Sequence, residues 1–179
     1  MAGLGRLARL LIGVTVALAP ASTLAQVTET AVKAAFLPRF ARYVTWPAAA
    51  APKGAAPFAI CVIGSDPFGG MLDDAVRSQS IDGRRMVVKR FDSAVGTDGC
   101  QIAFVQGTRS LPTGQLLAGF GSKPILTVTD AASGGQRGMI HFAVVGGRVR
   151  FFIDEWVAAQ RGLSISSRLL ALAIGVKQR

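Results

Sequence analysis

Apolar residues recur at helical spacing near the start of the chain. Val32, Phe36, Phe40, Tyr43 and Val44 fall on one stripe, while Lys33, Arg39 and Arg42 fall elsewhere, which predicts an amphipathic helix over 27–46. Pro38 lacks an amide hydrogen and should kink or divide it. Trp46-Pro47 should end it, because the residue before proline is pushed out of helical geometry. Residues 47–57 form an Ala/Pro-rich tract and predict an exposed connector. Then 58–63 is a continuous apolar run, as in strands buried on both faces. Asp66 and Pro67 follow as N-cap and first residue of a helix carrying Phe68, Met71, Leu72, Ala75 and Val76. Strands are predicted at 85–91, 101–105 and 124–129, with a helix around 116–120 before the last. This order predicts a single layered α/β domain.

Toward the C-terminus the pattern changes to a hairpin. Segments 139–145 and 148–153 flank Gly146-Gly147, a two-residue turn signal. Pairing around that turn sets Val144 opposite Val149, Phe142 opposite Phe151 and Ile140 opposite Ile153, all apolar and on one face. The other face pairs Val145 with Arg148, Ala143 with Arg150 and His141 with Phe152. That amphipathic face is either open or covered by a helix. Next, Asp154 can cap a short helix, Gly162 suits the left-handed residue that ends it, and Ser164, Ser166 and Ser167 offer hydroxyls to a second helix carrying Leu169, Leu170 and Leu172. The expected fold is therefore a mixed sheet with a C-terminal β-hairpin and flanking helices.

The N-terminus alters the compartment. Arg6 and Arg9 precede an uncharged apolar run, 10–19, and Thr23-Leu24-Ala25 has the small residues of a cleavage site. Residues 1–25 are read as a secretory signal peptide cut after Ala25, leaving a domain over 26–179 with no transmembrane segment; an uncleaved anchor and a cut after Ala21 are the alternatives. The whole chain carries a formal charge of +10, and losing Arg6 and Arg9 brings it to +8. Such a charge favours acidic partners or anionic membrane surfaces. Export argues against nucleic acid, and the basic residues are scattered rather than clustered. Cys61 and Cys100 both fall in or beside predicted strands. An oxidising periplasm favours a bridge between them, and two small buried thiols are the alternative reading.

Little catalytic chemistry is legible. There is no Walker loop, no His-Glu-x-x-His and no Gly-x-Ser-x-Gly elbow, so no catalytic residue is assigned. A single histidine and no Cys-x-x-Cys speak against a metal site, and no cofactor is implied. His141 lies mid-strand and reads as structural. Asp66 and Asp130 follow strands at the edge where open sheets bind ligands, making them candidate ligand carboxylates, although capping and turn formation also explain them.

Taken in order, several segments resemble the YfiR-type periplasmic family. Val32-Lys33-Ala34-Ala35-Phe36-Leu37, Phe40-Ala41-Arg42-Tyr43-Val44 and Trp46-Pro47 are similar to its opening. Phe58 to Gly64, Asp66-Pro67-Phe68-Gly69, Ile125 to Asp130 and Gly138-Met139-Ile140 with Phe142 resemble its middle. Arg150-Phe151 and Gly162-Leu163-Ser164-Ile165-Ser166-Ser167-Arg168-Leu169-Leu170, then Leu172-Ala173, resemble its close. The resemblance implies a small secreted α/β protein without known enzymatic activity, whose best understood relative restrains a membrane diguanylate cyclase through that enzyme's periplasmic part. It also implies that Cys61 and Cys100 match a pair that can be bridged there, while a second pair has no equivalent here. Departures are Pro38-Arg39 for a usual Tyr-Asn, Asp154 for a common Asn, and His141 in place of another polar residue.

The expected function is that of a periplasmic regulator binding the sensor region of an inner-membrane diguanylate cyclase or sensor kinase. Arg150, Phe152 and His141 are the candidate contact residues, and a homodimer is compatible with the sequence. A small-molecule binder using Asp66 and Asp130 is the alternative.

Overall fold

The computed structural model describes residues 21–178, so most of the expected signal peptide lies outside the described residues. Helix α1 spans Ala21–Phe40, followed by a 3-10 turn, Ala41–Tyr43, and strand β1, Val44–Thr45. Then come β2 (Phe58–Gly64), α2 (Gly70–Arg77), β3 (Ser80–Ile81), β4 (Arg84–Phe91), β5 (Ile102–Gln106), α3 (Thr113–Ala118) and β6 (Leu126–Asp130). The chain closes with β7 (Ile140–Val145), β8 (Arg148–Asp154), α4 (Glu155–Gln160), β9 (Ser164–Ile165), α5 (Ser167–Leu170) and β10 (Gly175–Lys177).

Eight strands form one sheet in the order β10-β8-β7-β6-β5-β2-β4-β3, and β1 pairs separately with β9. From β4 to β7 the strands are parallel; β8 returns antiparallel to β7, and β10 lies parallel to β8 at the edge. Strand alternation sorts the core into two layers. Phe58, Ile60, Val62, Ile102 and Phe104 face α1, α2, α4 and α5. Ala59, Cys61, Ile63, Ala103 and Val105 face α3 through Leu116, with Phe120 just beyond it. On the first side Phe36 and Phe40 pack on Phe142 and Phe151, with the Phe40 and Phe151 rings 5.4 Å apart. Edge-to-face aromatic packing of this kind adds to the area buried.

The hairpin register is the expected one at all six paired positions, with Gly146 and Gly147 at φ +57° and +71°. The closing unit also follows expectation. Asp154 accepts from the Val157 amide at 3.0 Å, Gly162 has φ +73°, and the Ser166 hydroxyl accepts from Leu169.

Three expectations need correction. Helix α1 stops at Phe40 rather than 46, because Val44 and Thr45 pair as a strand with Ile165 and Ser164. The buried stripe of α1 is also rotated: Lys33, Ala34, Leu37 and Phe40 face inward, and Val32 is exposed. Helix α2 starts at Gly70. Asp66 Oδ1 accepts from the amides of Phe68 and Gly69, closing the turn before the helix instead of capping it. Strand β10 had no counterpart in the sequence reading. Gly175 admits it, since a Cβ there would lie 2.9 Å from the Phe152 ring.

Cys61 of β2 and Cys100 before β5 are joined as a disulfide with Cα atoms 5.9 Å apart, both buried under the α3 side. Non-reducing peptide mapping of the exported chain should find Cys61 linked to Cys100, and two alkylatable thiols would contradict it. Replacing both by Ala should lower unfolding stability by about 2–5 kcal/mol in urea denaturation.

Candidate functional site

Two regions collect the candidate residues, the carboxyl edge of the parallel strands and the second face of the hairpin. At the carboxyl edge the chain steps outward from β2 to β4 and then returns to β5, which makes the β2–β5 boundary the topological switch point. Gly64, the last residue of β2, pairs with Gln106 of β5 and has φ +81°; a Cβ there would meet the Gln106 carbonyl oxygen at 2.2 Å.

Both candidate carboxylates at this edge already hold cations. Arg90 Nε donates to Asp66 Oδ2 at 2.7 Å, and its NH2 donates to Asp73 at 2.6 Å and to the Gly69 carbonyl at 2.9 Å. Hydrogen bonding to Asp73, then to Asp66, holds Arg90 above its usual pKa, and Arg90 in turn holds Asp73 below the usual carboxylate range. Asp130 is 3% exposed and Lys33 7%. Lys33 Nζ reaches Asp130 Oδ2 at 2.9 Å and also contacts Glu29, one helical turn earlier. Burial opposes the ammonium charge, but hydrogen bonds to Glu29 and Asp130 outweigh it and raise the Lys33 pKa. Asp130 Oδ1 accepts from the Ser133 amide and hydroxyl, and that hydroxyl also reaches the Val105 carbonyl. Asp66 and Asp130 therefore form two separate internal ion networks and do not converge.

On the hairpin, strand alternation places Arg150, Phe152 and His141 on one face, as expected. No helix covers it among the described residues: the α3-side core stops at β5 and at Ile125 just before β6, with no residue of β7 or β8. In place of a helix, the Arg137 guanidinium lies 5.0 Å from the Phe152 ring centroid. Such a cation over an aromatic face is attractive by about 0.5–1 kcal/mol at an exposed site. A cleft of about 290 Å³ opens beside it, lined by Arg137, His141, Phe152, Asp154 and Lys177. Lys177 bonds Asp154 at 3.0 Å and lies 5.5 Å from the Trp156 ring centroid.

The three hairpin candidates differ in access. Arg150 is exposed and has no acidic partner among the described residues, Phe152 is half-buried, and His141 is buried. His141 Nδ1 shares a 2.9 Å hydrogen bond with Thr129 Oγ1, which also accepts from the Gly138 amide. Burial, then the nearby Arg137 charge, holds the imidazole below its ordinary pKa. His141 thus braces β6 against β7 and forms the floor of the cleft, beneath the exposed surface.

The sequence reading missed Lys33, Arg137 and Lys177. Lys33 had one signal, its position four residues after Glu29 and three and four before Phe36 and Leu37. The partnerships of Arg137 and Lys177 are tertiary and leave no local trace.

The chain matches the family described as YfiR/HmsC-like over residues 30–174, and so belongs to that family. No curated protein matches it in sequence.

Two outcomes follow from this geometry. Lys33→Met would leave the buried Asp130 carboxylate without its cation and should cost about 3–5 kcal/mol in urea unfolding at neutral pH, with a Lys33→Met/Asp130→Leu pair recovering much of it. His141 takes up a proton more readily unfolded than folded. Its contribution is complete above about pH 6.5 and is lost as pH falls through the lower folded value. His141→Gln should flatten that acid-side decline in a pH series of thermal melts.

Proposed function

We propose that this member of the YfiR/HmsC-like family is a non-catalytic periplasmic regulator that binds and restrains the periplasmic sensor region of an inner-membrane diguanylate cyclase. The observation that carries the reading is the family match across residues 30–174, nearly the whole of the described domain. The exposed chemistry agrees with it. Asp66 and Asp130, the carboxylates placed at the usual ligand edge, are held by Arg90 and Lys33. The alternative of a small-molecule binder built on those two residues has correspondingly less support.

Docking is assigned to the uncovered face of the hairpin. Arg150 supplies a free cation there, and Phe152 under Arg137 supplies an aromatic surface at the base. Arginine is among the residues enriched at the energetic centre of interfaces. The chain's positive charge suits an acidic partner surface and speeds encounter with it. His141 contributes by fixing strand β7 in place.

Deleting the gene should raise cellular cyclic-di-GMP and surface attachment. Re-expression of the native chain should reverse both, and an Arg150→Glu chain that accumulates to the native level should not. Unchanged cyclic-di-GMP on deletion would sink the reading.

A further inference from the structure

The β7–β8 hairpin reaches beyond the sheet that supports it. Strand β6 pairs with β7 only as far as Phe142, and β10 joins β8 only from Phe152 onward. Residues 143–150 therefore form strand pairs with one another alone, as a two-stranded ribbon closed by Gly146 and Gly147. Two-stranded ribbons are marginal in water, and this one carries apolar side chains at its end. Val144 is 47% exposed and Val145 53%. Being consecutive in a strand, they point to opposite faces. Arg148 stands across from Val145, Arg150 follows two residues down the same face, and neither has an acidic partner among the described residues.

We propose that this tip docks on an anionic lipid surface, with Val144 and Val145 entering the boundary between headgroups and acyl chains and Arg148 meeting lipid phosphates, while Arg150 stays below that layer. Three features of the ribbon favour a bilayer over a protein surface. The tip is convex. Its exposed valines face opposite ways, so a protein surface that buries one face leaves the other wet, whereas lipid surrounds both. The spacing also fits. At about 3.3 Å per residue the valines and Arg148 lie within two residues of the apex and Arg150 about 10 Å below it. Interfacial elements bury to about 5–10 Å, and arginine side chains reach from there to the phosphates. The contact extends the regulator reading, since it would hold the chain beside a membrane-bound partner, but it needs no cyclase to be measured.

Co-sedimentation of the chain lacking residues 1–25 with vesicles tests it. Vesicles of phosphatidylethanolamine and phosphatidylglycerol should bind the chain, and pure phosphatidylcholine vesicles should bind it far less. Val144→Ser/Val145→Ser leaves the charge unaltered and should weaken binding about tenfold. Arg148→Glu should weaken it more than Arg85→Glu, an equal charge change on β4 at the other side of the sheet. Circular dichroism melts of each variant confirm that the exposed changes leave the fold intact. Absence of vesicle binding, valine variants that bind like the native chain, or equal losses in Arg148→Glu and Arg85→Glu would each overturn the proposal. Normal vesicle binding with lost cyclase restraint in the valine variant would also overturn it, placing a protein at the tip. Failure of the vesicle assay with an intact deletion phenotype would leave the regulator reading standing.

Discussion

The ammonium of Lys33 inside the domain, shared between Asp130 and Glu29, is the constraint that the first layer of the structure is arranged around. A charge this deeply buried costs several kcal/mol unless its hydrogen-bonding capacity is met, so it can exist only where the carboxyl end of β6 and the early turns of α1 meet in one register. That fixes the rotation of α1. With Lys33 turned inward, Leu37 and Phe40 follow into the core and Phe36 slides against Phe142 and Phe151. Asp130 is held in turn by Ser133, whose hydroxyl reaches β5. One ion pair thus ties α1, β5 and β6 together at the edge where a ligand-binding member of this topology would keep its carboxylate free.

The second side of the sheet follows a different logic. Helix α3 covers β2 and β5 and protects the Cys61–Cys100 bridge, but among the described residues no helix extends this cover over β7 and β8. Half-covered sheets usually present polar residues outward, and Arg150 does so. Phe152 does not fit that rule. Its ring is partly satisfied by the Arg137 guanidinium and by Gly175, whose missing side chain lets β10 close against the ring. These makeshift covers leave a cleft with two cations at its rim, a surface that suits binding better than an anonymous exterior would.

How much of this could be read from the chain depends on how local each cause is. The hairpin register was legible because the Gly146-Gly147 turn and the apolar alternation of Ile140, Phe142 and Val144 with Val149, Phe151 and Ile153 independently require the same pairing. The closing caps at Asp154, Gly162 and Ser166 were legible for the same reason, each being a short-range backbone requirement. Lys33 was not, since helical periodicity counts a lysine as solvent-facing and its partner lies 97 residues away. Strand β10 was not legible either: three residues following a helix carry no alternation long enough to recognise. Asp66 shows a subtler failure. The residue type and its role as a backbone acceptor were right, but Gly69 and Gly70 let the chain turn once more before the helix begins.

The distribution of free and committed charge decides where function can sit. A carboxylate that binds a ligand must exchange protein partners for ligand ones, and Asp130 would have to release Lys33 into a buried, apolar setting to do so. That release would leave Glu29 as the only carboxylate on Lys33 among the described residues. Arg90 binds Asp66 and Asp73 together, so freeing Asp66 would give up a bidentate network rather than a single bond. Arg148 and Arg150 face the opposite situation, with no internal bond to lose on meeting an anion. The hairpin that carries them is anchored by Phe142 and Phe151 and touches the core again through Val149, while β6 and β10 stop short of its end, so contact at the tip leaves the sheet pairing intact. With Asp66 and Asp130 committed inside the fold and Arg148 and Arg150 without acidic partners among the described residues, the proposed contact with an anionic surface costs least at the β7–β8 ribbon.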